Sequence, residues 1–241
     1  MGGLFTEAFL TALVFGAVSA GIPLLLAGRG EPVSEKAGVR TLGIEGMMLA
    51  GAYVGFVAAF YSSSLWIGFA AGAAGGAAVA ALMALLCVRH GLNQVVVGIA
   101  LTLGVEGLTA LLHHFQFGRT YPRLDAASSL PIPLLSEIPV VGPAVFDRHP
   151  IVYLALAMVA VMAFVYRRTN LGLDLQAAGD KPAALDVAGV DVMTVRTVAV
   201  LATGVMAGVG GAFMANIGAG LFIPFMTGGA GFIGIVLAML A

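Results

Sequence analysis

Hydrophobic positions along this chain fall in long runs separated by short polar stretches. Six runs are long enough, or nearly so, to cross a bilayer core of about 20 residues at 1.5 Å per residue: Phe5–Ala27, Leu42–Phe60, Leu65–Val88, Leu92–Leu112, Ile151–Tyr166 and Thr197–Ile217. A seventh run begins near Gly229 and reaches Ala241 after 13 residues. It is too short to span, so the sequence reads as the front part of a longer protein. The first run has no positive flank and continues through Ile22-Pro23-Leu24 past any cleavage site. It therefore reads as a permanent helix, not a signal peptide.

Two polar intervals interrupt the pattern. Residues 115–150 carry Pro122, Pro131, Pro133, Pro139, Pro143 and Pro150, a density that disfavours helix and predicts a rigid, turn-rich surface. Residues 167–196 contain a helix signature. Asp180 is placed to cap, Pro182 stands in the first turn, Ala183–Ala188 are mostly good helix formers and Gly189 stops them. A helix of two turns is not stable alone in water, so a partner surface is expected against it.

Composition agrees with the runs. Of 241 residues, 60% are hydrophobic and 10% charged, against roughly 45–50% and 25% in soluble domains. With a mean hydropathy of +1.04, a soluble enzyme is excluded, because too few polar side chains exist to cover a globule of this size. The net charge of −1 offers no basic face for nucleic acid. Cys87 stands alone, which excludes a disulfide framework or a cysteine metal site. The fold class is all-α, a polytopic transmembrane bundle.

Charge sets the orientation. With the N-terminus outside, the inner loops hold Arg29, Lys36, Arg40, Arg89, Arg167, Arg168, Lys181 and Arg196, and the outer loops only Arg119, Arg123 and Arg148. Eight against three favours that arrangement.

Candidate chemistry is sparse. Glu45 and Glu106 lie inside spans, where a carboxylate is costly unless it faces a cavity or finds a partner. For Glu45, between Gly43 and Gly46, a cavity role and a local helix cap weigh equally. For Glu106, a structural hydrogen bond and a pathway role do. Gly51/Gly55, Gly68/Gly72 and Gly204/Gly208 form small-xxx-small faces that support close helix contact. Asn93-Gln94 suits a cap, and Asn216 either a cap or a solute contact. His90, His113, His114 and His149 read as solvated interfacial residues. Phosphate-loop, H-E-x-x-H and G-x-S-x-G patterns are missing, which makes an intramembrane enzyme a weak reading. An ion-coupled transporter using Glu45 or Glu106 stands as the alternative to an ATP-driven one.

Four stretches resemble a known family. Thr41-Leu-Gly-Ile-Glu-Gly-Met-Met-Leu-Ala-Gly-Ala52 is similar to the N-[IL]-G-[IV]-E-G-M-M-L-x-G-A signature of ABC importer permeases for nucleosides and simple sugars, within the branched-chain amino acid and ribose-like permease group. Asn93–Thr102, Leu171–Val190 and Thr227–Gly234 resemble, in order, that family's fourth-span motif, its cytoplasmic loop and the opening of its second internal repeat. Thr41, Asn93, Gln176 and Ala230 depart from the family's Asn, Asp, Arg and Arg.

The resemblance implies one permease domain over 1–241 with internal repeats, sited in a bacterial inner membrane. Thr41, Glu45, Met48, Glu106 and Asn216 become candidates for the solute path. Gly179, Asp180, Lys181, Pro182, Ala184, Leu185, Val187 and Ala188 become a coupling element. Its implied partners are an ATPase subunit that carries the ATP, a second permease subunit, an extracytoplasmic binding protein and membrane lipid. The resemblance implies no catalytic residue, metal or cofactor on this chain.

Overall fold

The structure, a computed structural model, describes residues 7–125, 130–131, 142 and 147–240. In order it runs α1 (Glu7–Lys36), α2 (Ile44–Ser62), α3 (Leu65–Ala84), α4 (Gln94–Phe117), α5 (Pro150–Arg168), α6 (Asn170–Asp180), α7 (Pro182–Val187), α8 (Val192–Phe213) and α9 (Ala230–Leu240). Wider π-type turns extend α3 through Leu85–Arg89 and α8 through Met214–Ala219. Six helices are long and apolar enough to cross a membrane. A spanning helix satisfies its own backbone, which lipid cannot do for it.

Glycine spacing builds the centre. A Cβ added to Gly76 would fall on backbone of Gly204 and Gly208, and one added to Gly51 on backbone of Gly208. One on Gly72 would meet the side chain of Ala212 and the carbonyl of Gly51. The three small-residue faces thus bring α2, α3 and α8 together at backbone distance. Met47, Met48, Met83 and Ala207 fill the space around them. Helix α1 packs along α8 and α9, α4 lies on α2, and α5 rests on the flank of α1.

Several boundaries differ from the hydropathy runs. Helix α1 does not stop at Ala27 but continues through Pro32 to Lys36. The reason lies in its face: Ala27, Gly30, Glu31, Val33, Ser34 and Ala37 are all buried, so packing extends the helix past the charges. Helix α8 begins at Val192, capped by Asp191, well before the apolar run. Helix α4 is capped by Asn93, whose Oδ1 accepts from the amides of Val95 and Val96.

The two ends of the bundle sort the polar segments. At one end Arg40 meets Gln94 and Arg196 meets Ala37 and Ala178. At the other, Leu124 donates to the Gly220 carbonyl, and Ser64, Trp66, Arg123 and His149 border one cleft. There the short strands β1 (Leu130–Pro131) and β2 (Asp147–Arg148) pair antiparallel, Leu130 opposite Arg148. Pro150 takes the first turn of α5. Pro133, Pro139 and Pro143 of the proline-rich interval lie outside the described residues.

Candidate functional site

The site grows from two irregular approaches to helices. Residues 37–43 lead into α2, and residues 220–229 lead into α9. Each approach is tied by a glutamate, one from the preceding helix α1 and one from α2. Glu31 on α1 accepts from the Thr41 amide at 2.9 Å, and Ser34 and Thr41 share a hydroxyl contact at 2.6 Å. Glu45 on α2 accepts from the Gly229 amide at 2.9 Å and the Gly231 amide at 2.6 Å. Those amides belong to the orphan donors of a helix start, where a negative charge is also favoured by the dipole.

Glu45 is therefore a cap, but for α9, not for its own helix. This position requires glycine at 231: a Cβ there would approach the Glu45 backbone at 2.7 Å. Residues 220–229 pass through the bundle in irregular form, with positive φ at Gly220, Phe225, Gly228 and Gly229. Such backbone survives at membrane depth only where protein or a water-filled cavity surrounds it. Phe222 and Thr227 are buried in the bundle, and a cleft of about 760 Å3 opens beside the segment against Ser19, Pro23 and Leu24 of α1.

The structure brings together Thr41 and Glu45, both buried, at this junction. Met48 lies fully buried one turn deeper, where a Cβ on Gly211 would fall on its carbonyl. Asn216 is remote from the pair, in the last turns of α8, and donates to the Gly55 carbonyl at 3.4 Å. Glu106 stands half-buried on α4. The junction thus collects two of the five candidates and adds one that sequence reasoning missed, Glu31. Its signal was the i, i+3, i+4, i+7 recurrence of Ala27, Gly30, Glu31 and Ser34, hidden among Arg29, Pro32 and Glu35.

His113 corrects a second expectation. It is not solvated: it is buried on α4, stacked on Tyr121 at 5.3 Å and near Phe117 and Phe222. Among the described residues no group of His, Cys, Asp and Glu gathers in a way that could hold a metal.

The polar interval 167–196 forms two helices, not one. Asp180 does not cap α7; it ends α6, and Lys181 takes the N-cap position with no side-chain hydrogen bond. Close packing sets this break, since a Cβ on Gly179 would fall on the Lys36 carbonyl. Arg196 of α8 locks the contact. Its Nε donates to the Ala37 carbonyl at 3.0 Å and its Nη2 to the Ala178 carbonyl at 2.9 Å. On α7 only Leu185 turns inward, while Ala184 and Val187 face out, Val187 with 90% of its surface exposed. Gly189, at φ +84°, ends the helix.

Six apolar helices long enough to cross a membrane, packed around a glycine centre with an exposed two-turn helix at one end, describe a multi-pass membrane protein. The chain belongs to the branched-chain amino acid transport system permease component family, whose profile matches residues 13–241. A putative glucose ABC transporter permease protein of Haloferax volcanii is 40% identical over 97% of this chain and 71% of its own length. A nucleoside ABC transporter permease protein of Lactococcus lactis is 31% identical, and a guanosine ABC transporter permease protein of Bacillus subtilis 29%, each over 88% of this chain and 69% of its own. No solved structure matches the chain. The chain is thus a permease subunit of the ABC transporter class, which sets aside the ion-coupled reading. The geometry agrees, because both Glu45 oxygens are engaged by backbone amides, those of Gly229 and Gly231.

Proposed function

We propose that this subunit forms the solute path of an ATP-driven importer for a nucleoside or a simple sugar. The relatives named for glucose, nucleosides and guanosine support that substrate class. A path built from neutral small residues suits a neutral polar solute. ATP is hydrolysed on a separate chain, a second permease subunit completes the path, and an extracytoplasmic binding protein delivers solute at the end bearing Trp66, Arg123 and His149. The N-terminus lies on that outer side.

One observation carries the coupling reading: α7 presents Ala184 and Val187 outward while Gly179, one turn earlier, is packed on α1. An ATPase closing against α7 therefore pushes on the α1–α2 junction that holds Thr41, Glu31 and Glu45. Glu45 acts on the path by fixing where α9 begins. Thr41 fixes where α2 begins, and Met48 holds α2 against α8. Glu106 and Asn216 would act from α4 and the end of α8.

The test is uptake of radiolabelled guanosine and glucose by the full transporter in proteoliposomes, alongside ATP hydrolysis. A variant with Ala184→Glu and Val187→Glu should insert normally and lose coupled uptake of whichever solute is carried. Full uptake by that variant removes α7 from the mechanism.

A further inference from the structure

A basic pocket outside the α1–α2 junction is assigned no role by the transport reading. Arg29 and Lys36 stand seven residues apart on α1, hence on one face, and Arg167 closes the last turn of α5. With Tyr166 they line a cavity of about 140 Å3 whose apolar wall includes Pro32 and Met162. The Lys36 ammonium is held 5.3 Å from the centre of the Tyr166 ring. No acid among the described residues lines this cavity; Glu35 and Asp180 line a separate cleft that shares Lys36 and Tyr166 with it. Among the described residues the one ion pair is Arg40 with Glu35, so it takes up none of these three cations.

We propose that this pocket binds the phosphate of an anionic phospholipid headgroup. Two arginines and a lysine supply fork and point-charge donors for a phosphodiester. Lys36 and Arg167 sit in the last turns of α1 and α5, with Arg29 two turns before Lys36, toward the end of the bundle where the charge count places the inner membrane surface. A tyrosine with an apolar body and polar tip suits that interface. Below the cations, α1 exposes Leu25 one turn before Arg29, and α5 exposes Ala160 and Leu156 on the face that carries Arg167, an apolar track for the acyl chains. That track separates a lipid from a free phosphate, which has no use for it. Basic pockets between spanning helices are a recurrent form of headgroup recognition.

The test uses the assembled transporter, delipidated in mild detergent and given dioleoylphosphatidylglycerol or dioleoylphosphatidylcholine, with retained lipid counted by native mass spectrometry. The wild type should retain the anionic lipid about tenfold over the zwitterionic one. Arg29→Gln with Arg167→Gln should bring the two to parity, and Arg29→Lys with Arg167→Lys should keep most of the selectivity. Inorganic phosphate at about 10 mM should leave the lipid bound if the acyl track contributes. Equal retention of both lipids by the wild type overturns the proposal, and so does unchanged selectivity in the glutamine variant. Displacement by inorganic phosphate overturns it in favour of a soluble anion site. Loss of selectivity only when the ATPase subunit is present overturns it in favour of a protein contact.

Discussion

The carboxylate of Glu45, in the first turn of α2, holds the start of α9 by accepting from the amide of Gly231, 186 residues later in the chain, at 2.6 Å. Its second oxygen accepts from Gly229. A residue that looks like an isolated charge inside a span is the joint between the first turn of α2 and the start of α9. Glu45→Ala leaves both amides without a partner in a closed site, which costs about 1–3 kcal/mol for each unsatisfied group. Glu45→Gln keeps one acceptor and should fall between. Thermal unfolding of the detergent-purified protein, followed by size-exclusion chromatography, should rank wild type above Gln above Ala. Equal midpoints would show that α9 needs no such joint.

Glycine substitutions should divide by position, not by number. Gly208→Ala and Gly211→Ala drive a methyl group into the backbone of α3 and α2 respectively, and overpacking of this kind costs about 1–3 kcal/mol or more. Gly104→Ala and Gly107→Ala on α4 meet nothing within 4 Å and should gain up to about 1 kcal/mol from helix propensity. The same unfolding assay reads both pairs. A uniform response would mean that the close contact of α2, α3 and α8 is not what glycine provides.

Arg196 should matter to coupling more than to insertion. Its two hydrogen bonds to Ala37 and Ala178 join α8, the end of α1 and the end of α6, and a bond from a charged donor is worth about 1.5–3 kcal/mol. Arg196→Gln should lower solute moved per ATP hydrolysed, with Arg196→Lys intermediate. An unaltered ratio in reconstituted vesicles would exclude the clamp from transmission.

Asp191 gives a pH test outside the membrane. Its carboxylate is held below its ordinary value, first by the Thr194 hydroxyl and then by the Met193 amide. A carboxyl with a depressed folded value contributes stability above its unfolded pKa and loses it as pH falls through the folded one. Asp191→Ala should therefore unfold earlier than wild type near neutrality. The gap should close as pH drops below the ordinary value of 3.8. A gap that persists in acid would show that the cap does not act through its charge.

How much of this was legible depended on the kind of contact. Faces such as Gly51/Gly55 and Gly204/Gly208 announce close packing, because the spacing itself is the contact. Asn93 announces its cap for the same reason: the partners are two and three residues away. Glu31 stayed hidden because Arg29, Pro32 and Glu35 around it spell a loop, and only the packing of α1 on α8 makes it helix. Asp180 misled because a cap is read from neighbours in sequence, while the position of α7 is set by Gly179 against Lys36, 143 residues away. The role of Glu45 was out of reach in the same way, since both of its donors come from the start of α9 and the residue before it, far along the chain.

That last contact also orders the making of the protein. Glu45 enters the membrane with α2, and Gly231 has not yet been synthesised. At roughly 5–20 residues per second, the 186 residues between them take about 10–40 s to translate. For that interval the carboxylate sits in a half-built bundle without its amides, and water or the insertion machinery must shelter it. The bundle closes only when the beginning of α9 reaches it, so a truncation just before Thr227 should leave α2 as a span that the cell's quality control can recognise as unfinished.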